Sequence, residues 1–137
     1  MKSQKSIRLI VGISIAVGLL HFLLGPDYKG PFRPFITGYL IDLLLPMNMY
    51  LLGQLALRKK VAVNTSRILA GLGTFGFGAL VEWLQYRGLD FLGSTFDPWD
   101  LLMYALGVGL GLGLDILVLD RWEKRCDKSS DYDRNLQ

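Results

Sequence analysis

Four apolar runs, at about residues 7–24, 36–57, 68–86 and 98–119, take up most of this 137-residue chain. Each is about 18–22 residues long, and about 20 residues of α-helix cross the hydrocarbon core of a bilayer. The predicted fold is therefore all-α: a polytopic membrane protein whose four transmembrane helices form one bundle over residues 1–122. A polar tail, 123–137, is expected to be disordered. The length suits one domain. Sixteen glycines concentrate in the apolar stretches, where they permit close helix approach.

Charge orients the bundle. Lys2, Lys5, Arg8, Arg58, Lys59, Lys60, Arg67, Arg121, Lys124, Arg125, Lys128 and Arg134 fall on one side, and only Lys29, Arg33 and Arg87 on the other. Twelve of the fifteen cations on one side is a positive-inside signal that puts both termini in the cytoplasm. The six acids on each side leave the outer half net −3 and the inner half net +6. The expected location is the cell (plasma or bacterial inner) membrane, crossed several times. A pI near 9.1 then reports orientation, and no nucleic-acid module accompanies it. The first run has a basic start, but no small-x-small site closes it, so it is read as a retained span and not as a cleaved signal.

Cys126 is the only cysteine, which excludes an internal disulfide and a four-cysteine metal site. No cofactor or metal is expected. Residues 25–35 hold three prolines and two glycines and read as an ordered external turn, not a helix. Residues 58–67 read as a short basic cytoplasmic loop. Residues 87–97, with Leu89, Phe91, Leu92 and Phe96, read as an external loop at the interface. Trp83, Tyr86, Trp99, Tyr39, Tyr28 and Trp122 lie near the predicted span ends, as an aromatic belt would.

Carboxylates inside such runs point to function. Asp42, Glu82 and Asp115 are embedded in them and Asp100 opens the last; an ionised carboxylate is costly in hydrocarbon and usually faces a bundle interior, a partner or water. In the third run Ala70, Thr74, Gly78 and Glu82 share a helical face. In the fourth, Asp100, Tyr104, Gly107, Gly111 and Asp115 do so, with Ala105, Gly109 and Gly113 on a second face. These small-residue stripes should pack against other helices. The run from Gly107 to Gly113 is not a phosphate loop: it lacks the GxGxxG spacing and follows no strand. In the second run Gly38, Asp42, Pro46 and Tyr50 share a face, and Pro46 cannot donate to the carbonyl of residue 42, so a kink is expected beside Asp42. The choice between a cavity there and a plain kink patched by Asn48 or water stays open.

At about 1.5 Å per residue, Glu82 lies roughly 8 Å and Asp42 roughly 9 Å below the outer boundary, with His21 within one turn of it and Asp100 at the mouth. A shared outward pocket of His21, Asp42, Glu82 and Asp100, with Gln85 and Arg87 above, is the favoured reading. Snorkelling of each to the boundary is the alternative. Asp97 fits an N-cap, Pro98 the first helical position, and Asp100 a first-turn acid that complements the helix dipole. Asp115, about 22 Å from Asp100 along the helix, should be structural glue paired with Arg8, Arg58 or Arg67.

The stretch Glu82-Trp-Leu-Gln85-Tyr-Arg87, then Phe96-Asp-Pro-Trp-Asp100-Leu-Leu-Met-Tyr104-Ala-Leu-Gly107, resembles the VanZ-like integral-membrane proteins of bacteria, closest to a related uncharacterised branch. The resemblance covers roughly residues 36–115. Glu82, Gln85, Asp100 and Gly107 match the family pattern. Arg87 comes earlier than the family's arginine, and Tyr104 stands where VanZ-like proteins usually carry Asn, as in that branch. Asp42 resembles the branch's second-helix acid. The resemblance implies a role at the cell envelope, related to glycopeptide tolerance.

The resulting functional expectation is an outward acidic pocket that binds a lipid or cell-envelope ligand, with Glu82, Asp42, Asp100, Gln85, Arg87, His21 and Tyr104 as its candidate residues. The alternative is a membrane scaffold whose acids fix helix register. Membrane lipids are the expected partners, a lipid-linked or envelope ligand the expected occupant, and the glycine faces a route to homo-oligomers; no nucleic-acid partner is expected. An enzyme or a proton or cation transporter ranks lower: no nucleophile motif, HExxH or aspartate-rich motif is present, and four short helices without inverted repeats make a small scaffold for alternating access.

Overall fold

The structure, a computed structural model, describes residues 4–24, 28–33, 35–89 and 97–121. These residues form four long helices: α1 (Gln4–Leu23), α2 (Ile41–Leu57), α3 (Val63–Tyr86) and α4 (Pro98–Leu114). A π-helical turn, Phe35–Leu40, leads into α2, and another, Asp115–Leu119, extends α4. The apolar spans so built are 18, 23, 24 and 22 residues long. At about 1.5 Å per residue that is roughly 27–36 Å, against about 30 Å of hydrocarbon. All four are long and apolar enough to cross a membrane. Their outer surfaces carry exposed Val11, Ile15, Leu19, Leu72, Leu80, Leu106 and Leu110, an arrangement that water would penalise and lipid tails would not.

α2 is the central element: it packs against α1, α3 and α4, while α1 has α2 as its main neighbour. A core of Ile10, Tyr50, Leu51, Ala70 and Leu119 joins all four helices. It brings the start of α1, the end of α2 and the end of α4 to one end of the bundle, here the arginine end. Asp42, Glu82 and Asp100 lie toward the other, the acidic end. Ser14 ties α1 to α2; its hydroxyl sits 2.7 Å from Asn48 Oδ1 and 2.9 Å from the Ile10 carbonyl.

α2 and α4 touch most closely along one stripe of small residues. A Cβ at Gly107 would strike the Leu43 carbonyl oxygen and come within 3.2 Å of the Met47 amide, and one at Gly111 would meet Tyr50 Cδ1 at 2.7 Å. Gly109 and Gly113, on the second stripe, face open space. The two stripes are therefore not equivalent: the one carrying Asp100, Tyr104 and Asp115 is the packed one.

Three expectations shift in detail. α3 begins at Val63, so only residues 58–62 are left as the turn, and Ser66 and Arg67 belong to the helix. Polar side chains obscure this start in hydropathy, but they are compatible with a helix whose first turn lies beyond the hydrocarbon. α2 stays α-helical through Pro46; the departure from α geometry is the π-helical turn that ends at Leu40, six residues before the proline, and α4 braces residues 43–47 through Gly107. Asn48 is engaged with Ser14 on α1 instead of patching the proline. In the 25–35 turn Phe32 has φ +58° and a π-helical turn begins at Phe35. Phe91, Leu92, Phe96, Trp122, Cys126 and the tail lie outside the described residues.

Candidate functional site: an acidic cavity and an arginine cluster

Between the helices at the acidic end lies a cavity of about 270 Å³, walled by His21 of α1, Asp42, Pro46 and Met49 of α2, Thr74 and Phe77 of α3, and Tyr104 of α4. Its size corresponds to roughly nine waters at about 30 Å³ each, or to one small polar head. Each helix contributes through a feature visible in its own segment. Gly78 leaves room for the Tyr104 ring, which a Cβ there would approach to 2.5 Å. The ring thus lies flat on α3, and its hydroxyl donates to Glu82 Oε1 at 3.4 Å. Asp97 caps α4 by accepting from the Trp99 amide at 3.0 Å, with Pro98 in the first turn, as expected. The same capping residue donates its own amide to Glu82 Oε2 at 3.3 Å. The α4 cap therefore helps to seat the α3 acid.

Glu82 is only 2% exposed, yet its hydrogen bonds from described residues are long and come from neutral donors. Asp42, Asp100, Glu82 and Asp97 lie within electrostatic range of one another. The Asp42 carboxylate makes no hydrogen bond or ion pair with another described residue. Thr74, 8% exposed, lines the cavity, and its hydroxyl likewise bonds to no other described residue. Acceptors and negative charge thus line a space with apolar walls. Among the described residues no three His, Cys, Asp or Glu side chains are grouped as metal ligands.

Of the seven residues singled out in the sequence, His21, Asp42 and Tyr104 line the cavity, and Glu82 and Asp100 stand beside it. The structure does not bring Arg87 there. It is exposed, and its guanidinium lies 5.5 Å from the centre of the Trp83 ring, a cation–π contact at the helix end. Gln85 is half-buried and outside the cavity wall. Gln85 and Arg87 lie further along α3 than Val81, the last α3 residue in the cavity wall. Met49 and Phe77 are cavity residues that spacing alone does not single out, whereas Thr74 shares the stripe leading to Glu82.

The arginine end is built differently. Asp115 is fully buried and accepts from Arg58 Nη2 at 2.7 Å, Arg67 Nε at 2.7 Å and Gln54 Nε2 at 3.1 Å. Asp120 takes further hydrogen bonds from the same two arginines. The π-helical turn makes this sharing possible. With an i→i+5 bond, from the Asp120 amide to the Asp115 carbonyl, residue 120 stands one turn above residue 115 and both acids face the arginines. In a regular α-helix the two would point about 140° apart. Arg58 and Arg67 are among the partners expected for Asp115; Gln54 and Asp120 were not foreseen. The signal was a lone Gln in an apolar helix and two acids five residues apart.

No protein-family model, curated protein or solved structure matches the chain. Its function has to be argued from these two clusters.

Burial alone would raise the Asp120 carboxyl, but hydrogen bonds from Arg67 and Arg58, with their charges, outweigh it and hold the group below the usual carboxylate range. A carboxyl with a lower pKa folded than unfolded contributes stability above its unfolded value and loses it as pH falls through the folded one. Thermal unfolding in detergent should therefore show this contribution intact above about pH 5 and shrinking below about pH 4. An Asp120→Asn variant should lose less stability than the parent between pH 6 and pH 3. Identical acid profiles would mean the pairing is not felt.

Proposed function

We propose that the chain is a small multi-pass membrane protein with both termini in the cytoplasm, whose acidic end opens outward as a binding site for a lipid or envelope ligand. The single observation behind this is the cavity itself: a largely apolar space between the four helices whose wall includes His21, Asp42, Thr74 and Tyr104, with Glu82 bonded to Tyr104. Orientation rests on the distribution of the fifteen Lys and Arg residues. An occupant offering a cation or several hydroxyl groups would complement these acceptors. The spacing of Glu82, Gln85, Asp100 and Gly107 favours the VanZ-like comparison, which also points to a ligand at the cell surface.

A scaffold role is the second reading, and the arginine end speaks for it, because Asp115 there acts as a register pin. The two are separable. Asp42→Asn keeps the side-chain shape and breaks no hydrogen bond to another described residue, so the yield of monodisperse protein should stay at the parental level. Binding of ammonium- or sugar-bearing headgroup probes to protein in nanodiscs should fall at least about tenfold, the effect of a hydrogen bond to a charged group being about 1.5–3 kcal/mol. Parallel loss of yield and binding, or unchanged binding, would favour the scaffold.

A further inference from the structure

The acidic cavity is too large for a lone ion. Its volume of about 270 Å³ is several times that of a water, and no three metal-ligating side chains are grouped among the described residues. Its charge is one-sided. Asp42 stands in the wall with no bonded partner among the described residues, Glu82, Asp100 and Asp97 lie within electrostatic range, and no described Lys or Arg lines it. Most of the wall is nonetheless apolar or aromatic, made by Ile41, Leu45, Met49, Phe77, Val81 and the Tyr104 ring. The Tyr104 hydroxyl donates to Glu82, while that of Thr74, 8% exposed, bonds to no other described residue. Resting on the binding reading above, we propose that the occupant's head is a methylated ammonium on a short oxygen-bearing tether, a choline-type group, held as a cation by Asp42 and Phe77 and through its oxygen by Thr74.

A wall of this make-up discriminates among heads. A sugar presents hydroxyls on every side, and most of them would be buried against hydrocarbon unpaired, each at the penalty of a lost hydrogen bond. A primary ammonium is compact and strongly hydrated, and each of its N–H donors needs an acceptor once water is stripped away. Methyl groups remove those donors and spread the charge over an apolar surface, against which Leu45, Met49 and Val81 can pack. Met49, flexible and polarisable, adapts to the shape of such a group. Aromatic rings attract it through their quadrupole, the usual way in which quaternary ammonium ligands are recognised. The carboxylates supply the countercharge in surroundings of low dielectric, where attraction is stronger than in water.

The test measures equilibrium binding of choline, ethanolamine and methyl glucoside to the full chain in phosphatidylglycerol nanodiscs, with empty nanodiscs subtracted. Choline and ethanolamine share the hydroxyethyl tether and differ only in methylation. Choline should bind at least about tenfold more tightly than ethanolamine, and methyl glucoside more weakly than both. Asp42→Asn should weaken choline by at least about tenfold. Phe77→Leu keeps the wall apolar and removes a ring; it should weaken choline about threefold to tenfold, the range of a cation–π contact, and leave ethanolamine unchanged. Nanodiscs that mix phosphatidylglycerol with phosphatidylcholine, or with the same fraction of phosphatidylethanolamine, separate the sources of the head. Weaker choline binding beside phosphatidylcholine would assign the cavity to a lipid head, and equal binding to a free solute; either result supports the methylated ammonium. Ethanolamine binding as tightly as choline, or a Phe77→Leu variant that binds choline like the parent, would overturn the methylated head while the Asp42 effect kept the acidic binding site. Methyl glucoside as the tightest probe would overturn the cation. No probe bound above empty nanodiscs, or an Asp42→Asn variant that binds choline like the parent, would overturn the binding reading as well.

Discussion

Asp115→Ala should destabilise the folded bundle by about 3–5 kcal/mol, the usual effect of removing one partner from a buried ion pair. Asp115 is fully buried, and its removal would take from the Arg58 and Arg67 guanidiniums, 6% and 16% exposed, the buried anion they share. The loss falls at the junction of α2, α3 and α4. The loss should appear as a lower unfolding midpoint in detergent and a smaller monodisperse fraction. Adding Arg67→Met restores charge balance and should recover a substantial part of it, since apolar replacements of buried pairs are often tolerated. A single Asp115→Ala variant within about 1 kcal/mol of the parent would mean that water reaches the cluster and screens it.

Gly107→Val should cost about 3 kcal/mol, at the upper end of ordinary overpacking. The atom that a Cβ at position 107 would strike is the Leu43 carbonyl oxygen, part of the α2 backbone, which cannot turn aside as a side chain can. α4 would have to lift off α2, taking with it the Gly111 contact on Tyr50 and the seat of Tyr104 on α3. Gly109→Ala two residues on faces open space and replaces a poor helix former with the best one, so it should be neutral or slightly stabilising. The comparison is clean because both glycines sit in the same helix at nearly the same depth. If the two substitutions behaved alike in detergent unfolding, the packed face would have been assigned wrongly.

The two ends of the molecule treat buried acid in opposite ways. At the arginine end each carboxylate has short, charged donors, and opposite charges meet in one cluster. At the acidic end Glu82 is as deeply buried but is met by two neutral donors at 3.3 and 3.4 Å, and Asp42 faces a cavity. A charge-paired cluster of this kind holds three helices in register. An open one is costly to maintain unless something else occupies it, which is why the acidic end carries the functional proposal.

Much of this was legible along the chain. Runs of about 20 apolar residues specify membrane-length helices because hydrophobic length matches bilayer thickness. Asp97-Pro98 announces a helix start through local chemistry alone. Spacing of four placed Gly78 with Glu82, and Asp100 with Tyr104, on common faces, and Gly78 and Glu82 both meet Tyr104. The identity of each contact was not legible. Which glycine stripe of α4 touches α2, which arginine reaches Asp115, and that Arg87 turns away to Trp83 all depend on the rotation of each helix about its axis. In a chain of this kind that rotation is weakly marked in sequence, because leucine facing lipid and leucine facing protein lie in equally apolar surroundings. The π-helical turn that swings Asp120 beside Asp115 is a further case, since its i→i+5 bond becomes worthwhile only once Arg58 and Arg67 arrive from two other helices to meet both acids.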